Sequence, residues 1–460
     1  MPYPLVFIIL ARSIVSMKSI AGGGFHSILS NGSYLFSGRV LNIIVRGIYI
    51  SLVARLLGPE IYGIFASFQA WYLGFLPLAL FGMQGIIAIE LARSTTDPHQ
   101  LAGASLTLRF ITAFSASSIC LLAGWLLNPD PLSRHLILVF SIAMLGRSLA
   151  NWTEDILIAH ERAHYSLRME GLFRPLEAIL GASWLLLGDG GIIEVALMHA
   201  LSWWLQALAG FWLIRKRFVA TLKPTWAPAF MTRMLAMAVP LLISGFSINW
   251  LLQGPVILLR YTRLPEQAIG FLALAFQIFS LSCSVPMSLG MAALPVLSRA
   301  AQRNDGKDVF FAETMIKAIV FLAAPALIAS IYIMPIVTPW LFGAAYADAG
   351  KLLAWSLWLL IPFAIGYLLS QVLIAQKKLK SAGLSVLAGM TVFSAGYIYL
   401  VDRFGANGAI LACAMGLITW GLLSMALVAF YSRLNMIKTL ALPVTCAVLV
   451  LYGGLYFGLL

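Results

Sequence analysis

The chain has 460 residues, 61% hydrophobic and 10% charged, with a net charge of +13 and a mean hydropathy of +0.93. A soluble domain carries about a quarter of its residues as Asp, Glu, Lys and Arg, so a soluble fold is excluded. Apolar runs of about 20 residues recur from end to end, which fits membrane-spanning helices and excludes a β-barrel, whose signal is alternation in segments of about 10 residues.

In chain order, hydropathy places spans at 33–56, 64–88, 101–127, 136–158, 172–188, 191–214, 234–259, 269–295, 313–338, 351–375, 382–401, 408–430 and 439–459. The fold class expected is an all-α polytopic membrane protein of about 12–14 transmembrane helices. With the N-terminus in the cytoplasm, 19 Lys and Arg fall in cytoplasmic segments and 6 on the opposite side. That bias supports this orientation. The positive charge is therefore read as a topology signal, with no nucleic-acid partner. The apolar run at 1–10 has no basic region before it and is not expected to be a signal peptide. Cys120, Cys283, Cys413 and Cys446 all lie in apolar spans. They read as small core residues, with no disulfide, no metal site and no cofactor.

The chain repeats itself. "LFSG" at 35–38 matches "LISG" at 242–245, and in the same register Asn42 matches Asn249 and Arg46 matches Gln253. Each copy then reaches a turn, "RLLGPEIYGIFASFQ" or "RLPEQAIGFLALAFQ". Later, "DILIAHER" at 155–162 resembles "QVLIAQKK" at 371–378. Six spans separate the copies, so both have the same orientation, as in parallel-repeat transporters. The expected organisation is a cytoplasmic segment 1–32, an N-lobe 33–214, a cytoplasmic linker 215–233, a C-lobe 234–430, and a turn with an extra helix at 431–460. Two six-helix lobes then enclose a central cavity.

Leaving aside those within two residues of a span end, five basic residues fall within predicted spans: Arg39, Arg46, Arg109, Arg147 and Lys317. Arg39, Asn42, Arg46 and Tyr49 share one helical face, and the two arginines are about 10 Å apart along the axis. An arginine at the centre of a membrane helix costs at least ~2.5–3.5 kcal/mol on insertion scales and faces a wet cavity or a partner. Arg46 and Arg147 are near mid-span; Arg39 and Arg109 are closer to a cytoplasmic end, and Lys317 is expected to snorkel. Glu154, Asp155 and Glu177 are the internal acids. They read either as structural ion-pair partners or as carboxylates coupling transport to an H+ or Na+ gradient. Asn249, Gln253 and Gln277 put amides in the second lobe where the first has charge. They read either as helix-to-helix joints or as a polar wall for a sugar-like head group. A cavity that is cationic on one side selects anions, and arginine forks onto phosphate oxygens.

"SLVARLLGPEIYGIF", "FLPLALFGMQGIIAIELAR", "LIAHERAHYSLR" and "LFGAAYADAG" resemble the polysaccharide (O-antigen type) flippases of the multidrug/oligosaccharidyl-lipid/polysaccharide exporter superfamily. The resemblance implies a V-shaped pair of lobes in a bacterial cell (inner) membrane. It implies alternating-access movement of an undecaprenyl-diphosphate-linked glycan to the outer leaflet, with a glycan polymerase and glycosyltransferases as pathway partners. Arg39 and Arg46 match the cavity-facing basic residues on the first helix of related lipid II flippases. No P-loop, aqueous carboxylate pair or His/Cys metal spacing is present, so no enzyme is expected. A drug/cation antiporter of the same superfamily is the second reading and a membrane-embedded glycan-processing enzyme the third.

Overall fold

The computed structural model describes residues 25–92, 97–187, 191–218, 223–303 and 307–432. The span expected at 439–459, Cys446 and the side chain of Arg39 lie outside the described residues. Thirteen α-helices are present among the described residues: α1 (Phe25–Leu80), α2 (Ile86–Ala92), α3 (Pro98–Leu127), α4 (Pro131–Ala159), α5 (Ala163–Leu187), α6 (Ile192–Arg217), α7 (Pro228–Leu259), α8 (Glu266–Arg303), α9 (Lys307–Phe342), α10 (Ala349–Trp358), α11 (Leu360–Ala375), α12 (Leu379–Phe404) and α13 (Ala406–Ser432).

The first two expected spans are the two arms of α1. Gly58 breaks the helix with φ 74° and ψ 168°, a conformation open essentially to glycine alone. Pro59 then restarts it, since proline suits a first helical position. The second arm stops at Leu80 rather than at 88, because Phe81, Gly82 and Gly85 all take positive φ. Helix α5 starts nine residues before the expected span, at Ala163 rather than 172. Glu170 is thereby a helical rather than a loop residue, and Arg174 stands well inside the helix instead of at its end.

Ten segments are long and apolar enough to cross a bilayer, and one of them, Val40–Leu80, contains both arms of α1. Helix α5 is not among them. It has 25 residues, enough length for a crossing, but Arg168, Glu170, Arg174 and Glu177 depress its hydropathy. Counting both arms and α5 gives twelve crossings among the described residues, the number expected for two lobes of six.

Within the first set, α1 packs on α3, α4 and α5, and α6 packs on α4 and α5. Within the second, α8 packs on α9, α10 and α11, while α12 packs on α7 and α13. Helix α1 also packs on α7 and α8 and so joins the two sets. Small residues allow the close approaches that membrane helices need in place of a hydrophobic drive. A Cβ on Gly389 would lie 2.6 Å from the carbonyl oxygen of Gly416, and one on Gly416 2.8 Å from that of Gly389. Beyond α6, the connection to α7 is pinned to α3: Thr225 N–H donates to the Gly103 carbonyl at 3.3 Å and Thr107 Oγ1 to the Thr225 carbonyl at 3.0 Å. Cys120, Cys283 and Cys413 are free and buried.

Candidate functional site

Four helices of the first lobe enclose a cavity of about 130 Å³. Helix α1 contributes Asn42, Arg46, Tyr49 and Gln69; α4 contributes Arg147 and Asn151. Helix α5 contributes Glu170, Arg174 and Glu177, which recur on one face, and α6 contributes His199 and Trp203. Glycine brings α5 against α1: a Cβ on Gly171 would lie 3.3 Å from Leu41, and one on Gly181 3.3 Å from Tyr49.

The cavity wall is a chain of hydrogen bonds. Arg147 Nη1 donates to Tyr72 Oη at 2.9 Å, and Tyr72 Oη lies 2.6 Å from His199 Nε2. His199 Nδ1 lies 2.5 Å from Glu177 Oε1, and Arg174 pairs with the other oxygen of Glu177. Arg174 Nη2 also donates to Gln206 Oε1 at 2.8 Å and Ser202 Oγ at 3.2 Å. The Trp203 ring faces two guanidiniums, Arg174 at 3.7 Å and Arg147 at 4.6 Å. Each desolvated contact of this kind contributes up to about 2 kcal/mol. Asn42 donates to Glu170 across the mouth.

Arg46 differs from the other two arginines. It lines the cavity and feels the charges of Arg147, Glu177 and Arg174. Among the described residues it has no hydrogen-bond or ion-pair partner. Tyr49 Oη and the Nε atoms of Arg147 and Arg174 are buried without a partner as well. Three arginines face two glutamates, so with His199 neutral the site carries one net positive charge and a free donor fork.

The other residues singled out in the sequence go elsewhere. Arg109 is fully buried, with its Nη2 3.2 Å from Asp155 Oδ2 and its Nη1 donating to the Leu80 carbonyl at 2.8 Å. The last carbonyls of a helix have no partner within it. Arg109, together with Thr112 and Ser148 on the Ala79 carbonyl, closes the end of α1. Arg109 thus caps a helix instead of facing the Arg46 cavity, and Asp155 neutralises it. Glu154 accepts from Ser166 Oγ at 2.6 Å, outside the cavity lining. The second-lobe amides join helices. Asn249 donates to the Leu73 carbonyl at 2.6 Å and Gln253 to Ser280 Oγ at 3.3 Å. Gln277 accepts from Tyr62 Oη at 3.1 Å and donates to Gln69 Oε1 at 3.2 Å. Lys317 pairs with Glu313 at 2.6 Å on an exposed surface.

Sequence reasoning missed Glu170, Arg174, His199, Trp203 and Tyr72. Arg174 is only the third residue of the span expected at 172–188 and so counts with its cytoplasmic flank, while Glu170 falls outside that span altogether. The signal was present: Glu170, Arg174 and Glu177 stand at i, i+4 and i+7, the same spacing as His199, Trp203 and Gln206 on the facing helix.

A family model described as "Polysaccharide biosynthesis protein" matches residues 28–301. The fold is similar to an inward-facing multidrug resistance MATE family transporter of the MOP superfamily, at 17% identity over 86% of this chain and 94% of that one, with a TM-score of 0.73. It is similar to the lipid II flippase MurJ in an inward closed conformation, at 16% identity over 92% of both chains, with a TM-score of 0.69. An outward-facing MATE family transporter matches at 16% identity over 86% of this chain and 95% of that one, with a TM-score of 0.57. No curated protein matches the chain.

Proposed function

Because the chain belongs to the polysaccharide biosynthesis protein family, we propose that it flips a polyprenyl-diphosphate-linked oligosaccharide from the inner to the outer leaflet of a bacterial cell membrane. The observation that carries this reading is Arg46, an unpaired guanidinium in a cavity that already holds Arg147 and Arg174. Twelve residues before the Gly58 break, it lies about 18 Å from the outer end of its arm, near mid-membrane. A diphosphate offers the oxygens that such a fork binds. The opposite face of the same arm, Val40, Ile44 and Ile48, is exposed and apolar, which suits a lipid tail that stays in the bilayer.

The half-buried lining residues Asn42, Asn151 and Glu170 lie toward the end of the lobe that carries the basic loops. The cargo enters there, from the cytoplasmic leaflet, and leaves when the lobes rock apart at the other end. The inward-facing and inward-closed neighbours support this alternating-access cycle. The N-terminus is cytoplasmic in this reading. Transport makes and breaks no covalent bond; the glycosyltransferases that build the glycan and the polymerase that uses it act before and after. Coupling to H+ or Na+ is placed at the bonded pair of Glu177 and His199, since Asp155 and Glu154 lie outside the cavity lining. A drug or cation cargo is disfavoured because both cavity glutamates are already bonded, Glu170 by Asn42 and Glu177 by Arg174 and His199.

The test is exposure of lipid-linked glycan at the outer leaflet of cells lacking this protein. Loss of exposure with accumulation of the intermediate inside, reversed by the wild-type gene, is expected. Normal exposure in those cells refutes the reading.

A further inference from the structure

The protons in the cavity wall can be assigned from what each group is able to donate. Arginine and the indole nitrogen only donate. Arg147 therefore gives its proton to Tyr72 Oη, and Trp203 Nε1–H points at His199 Nε2 from 3.2 Å. Tyr72, already an acceptor, directs its own O–H to the same nitrogen at 2.6 Å. His199 Nε2 thus receives two donors and carries no hydrogen, while Nδ1–H faces Glu177 at 2.5 Å. The result is a neutral imidazole, 5% exposed, whose lone pair is basic and is held by two donors that must both turn away before a proton can bind.

We propose that His199 takes up one proton when the anionic head group enters the cavity, so that cargo and proton bind together. This rests on the reading of the cavity as a diphosphate site. The charged and titratable groups facing His199 come from every helix packed around it. They are Tyr72, with Arg46 and Tyr49 further along α1; Arg147 on α4; and Arg174 and Glu177 on α5. Three arginines against two glutamates leave one positive charge. A diphosphate diester brings two negative charges and would leave the buried site with one uncompensated negative charge, which a low-dielectric interior penalises. One proton on His199 restores neutrality.

The geometry links the two events. Phosphate oxygens compete with Tyr72 for Arg147. Once Arg147 turns to the ligand, the Tyr72 oxygen is free to accept from a protonated Nε2. The proton comes from the aqueous mouth and adds to the Nε2 lone pair. The Nδ1–H bond to Glu177 is kept, the Tyr72 hydroxyl rotates, and Trp203 Nε1–H gives up its acceptor. By thermodynamic linkage, a proton that favours the anion is favoured by it to the same extent.

The test uses the purified full-length protein in detergent and farnesyl-diphosphate-linked N-acetylglucosamine, a diphosphate diester that stays doubly ionised through the neutral range. Calorimetry in buffers of different protonation enthalpy counts the protons bound with the ligand. We expect uptake approaching one proton, and an affinity that falls about tenfold per pH unit on the alkaline side. His199→Gln is expected to bind without proton uptake and with an affinity that no longer changes with pH. Tyr72→Phe, which keeps the imidazole, is expected to retain the uptake. Wild-type binding with no proton uptake, while Arg46→Gln still weakens binding, overturns this inference and leaves the anion site standing. Uptake that persists in His199→Gln puts the proton on another group and overturns it too. Wild-type protein that does not bind the ligand, or binding unchanged by Arg46→Gln, overturns both.

Discussion

Gln277 Nε2 donates to Gln69 Oε1 at 3.2 Å, and these glutamines occupy matching places in the internal repeat, each closing a Phe-Gln pair. Equivalent residues of two related lobes can touch only where the axis relating the lobes passes between them. Gly63 and Gly270, also matched in the repeat, meet nearby: a Cβ on Gly63 would lie 2.8 Å from the Gly270 nitrogen. The pseudo-two-fold axis therefore runs between the second arm of α1 and α8. It closes the lobes against each other at the end opposite the basic loops.

Gly270 gives the first prediction. A Cβ there would lie 1.9 Å from the Pro59 carbonyl oxygen and 2.5 Å from its carbon, a backbone contact that no rotamer change relieves. Gly270→Ala should force the lobes apart at this end. In a Gln277→Cys background, labelling by a membrane-impermeant maleimide applied outside should accelerate about tenfold, a bias of roughly 1.4 kcal/mol. An unchanged rate would mean that the lobes are held closed by other contacts.

Gly58 gives the second. Its Cβ would meet nothing within 4 Å, so space does not select glycine here; φ 74° with ψ 168° does. Gly58→Ala is expected to cost about 1–3 kcal/mol and to lower the unfolding temperature in detergent. Ala substituted at Val40, on the exposed face of the same arm, serves as the control and should move it far less.

The ion pair of Arg109 and Asp155 gives the third. Arg109→Met leaves a buried carboxylate unpaired and removes the donor on the Leu80 carbonyl, so a loss of about 3–5 kcal/mol is expected. Asp155→Asn keeps an acceptor for Arg109 but loses the charge, and should cost less. The double variant Arg109→Met/Asp155→Leu should recover part of the loss but not all, because the carbonyls at the end of α1 stay uncapped. Thermal unfolding of the three variants and the wild type checks this order of stabilities. An Arg109→Met protein as stable as wild type, but unable to export glycan, would return Arg109 to the cargo path.

The class, the repeat and twelve of the thirteen expected spans were legible in the sequence because hydropathy and register are local properties; the thirteenth, 439–459, lies outside the described residues. Arg46 was legible for the same reason: a charge in an apolar run stands out wherever the run ends. Arg109 gave the same signal, and of the two readings open to it, a wet cavity or a partner, its contacts are those of the second; the carbonyls it caps belong to α1, and nothing in the local sequence says where the end of α1 will lie. Glu170 was lost to a boundary, and Arg174 was left at its edge. The charges that make α5 part of the cavity also lower its hydropathy, so the helix looked shorter than it is. His199 and Trp203 gave no signal of their own, because one histidine and one tryptophan in a span become a site only when α5 brings Glu177 and Arg174 against them.

The last prediction concerns Arg46. Arg147 is held by Tyr72 and Arg174 by Glu177, Ser202 and Gln206, so replacing either disturbs the wall as well as the cargo. Arg46 supports no described neighbour by hydrogen bond, and its loss should act on the cargo alone. Arg46→Gln copies Gln253, its counterpart in the second lobe, and removes the charge; Arg46→Lys keeps the charge without the planar fork. Removing one charge-assisted contact should cost roughly 1.5–3 kcal/mol, about ten- to a hundredfold in affinity. Glycan export is therefore expected to be abolished or nearly so in Arg46→Gln and partly retained in Arg46→Lys, with both proteins folded and expressed at wild-type levels. Because Arg46 stabilises nothing in the empty cavity and crowds two other cations, the thermal stability of Arg46→Gln should equal or exceed that of wild type. A stable Arg46→Gln protein that exports glycan at the normal rate would remove the anionic cargo from this cavity.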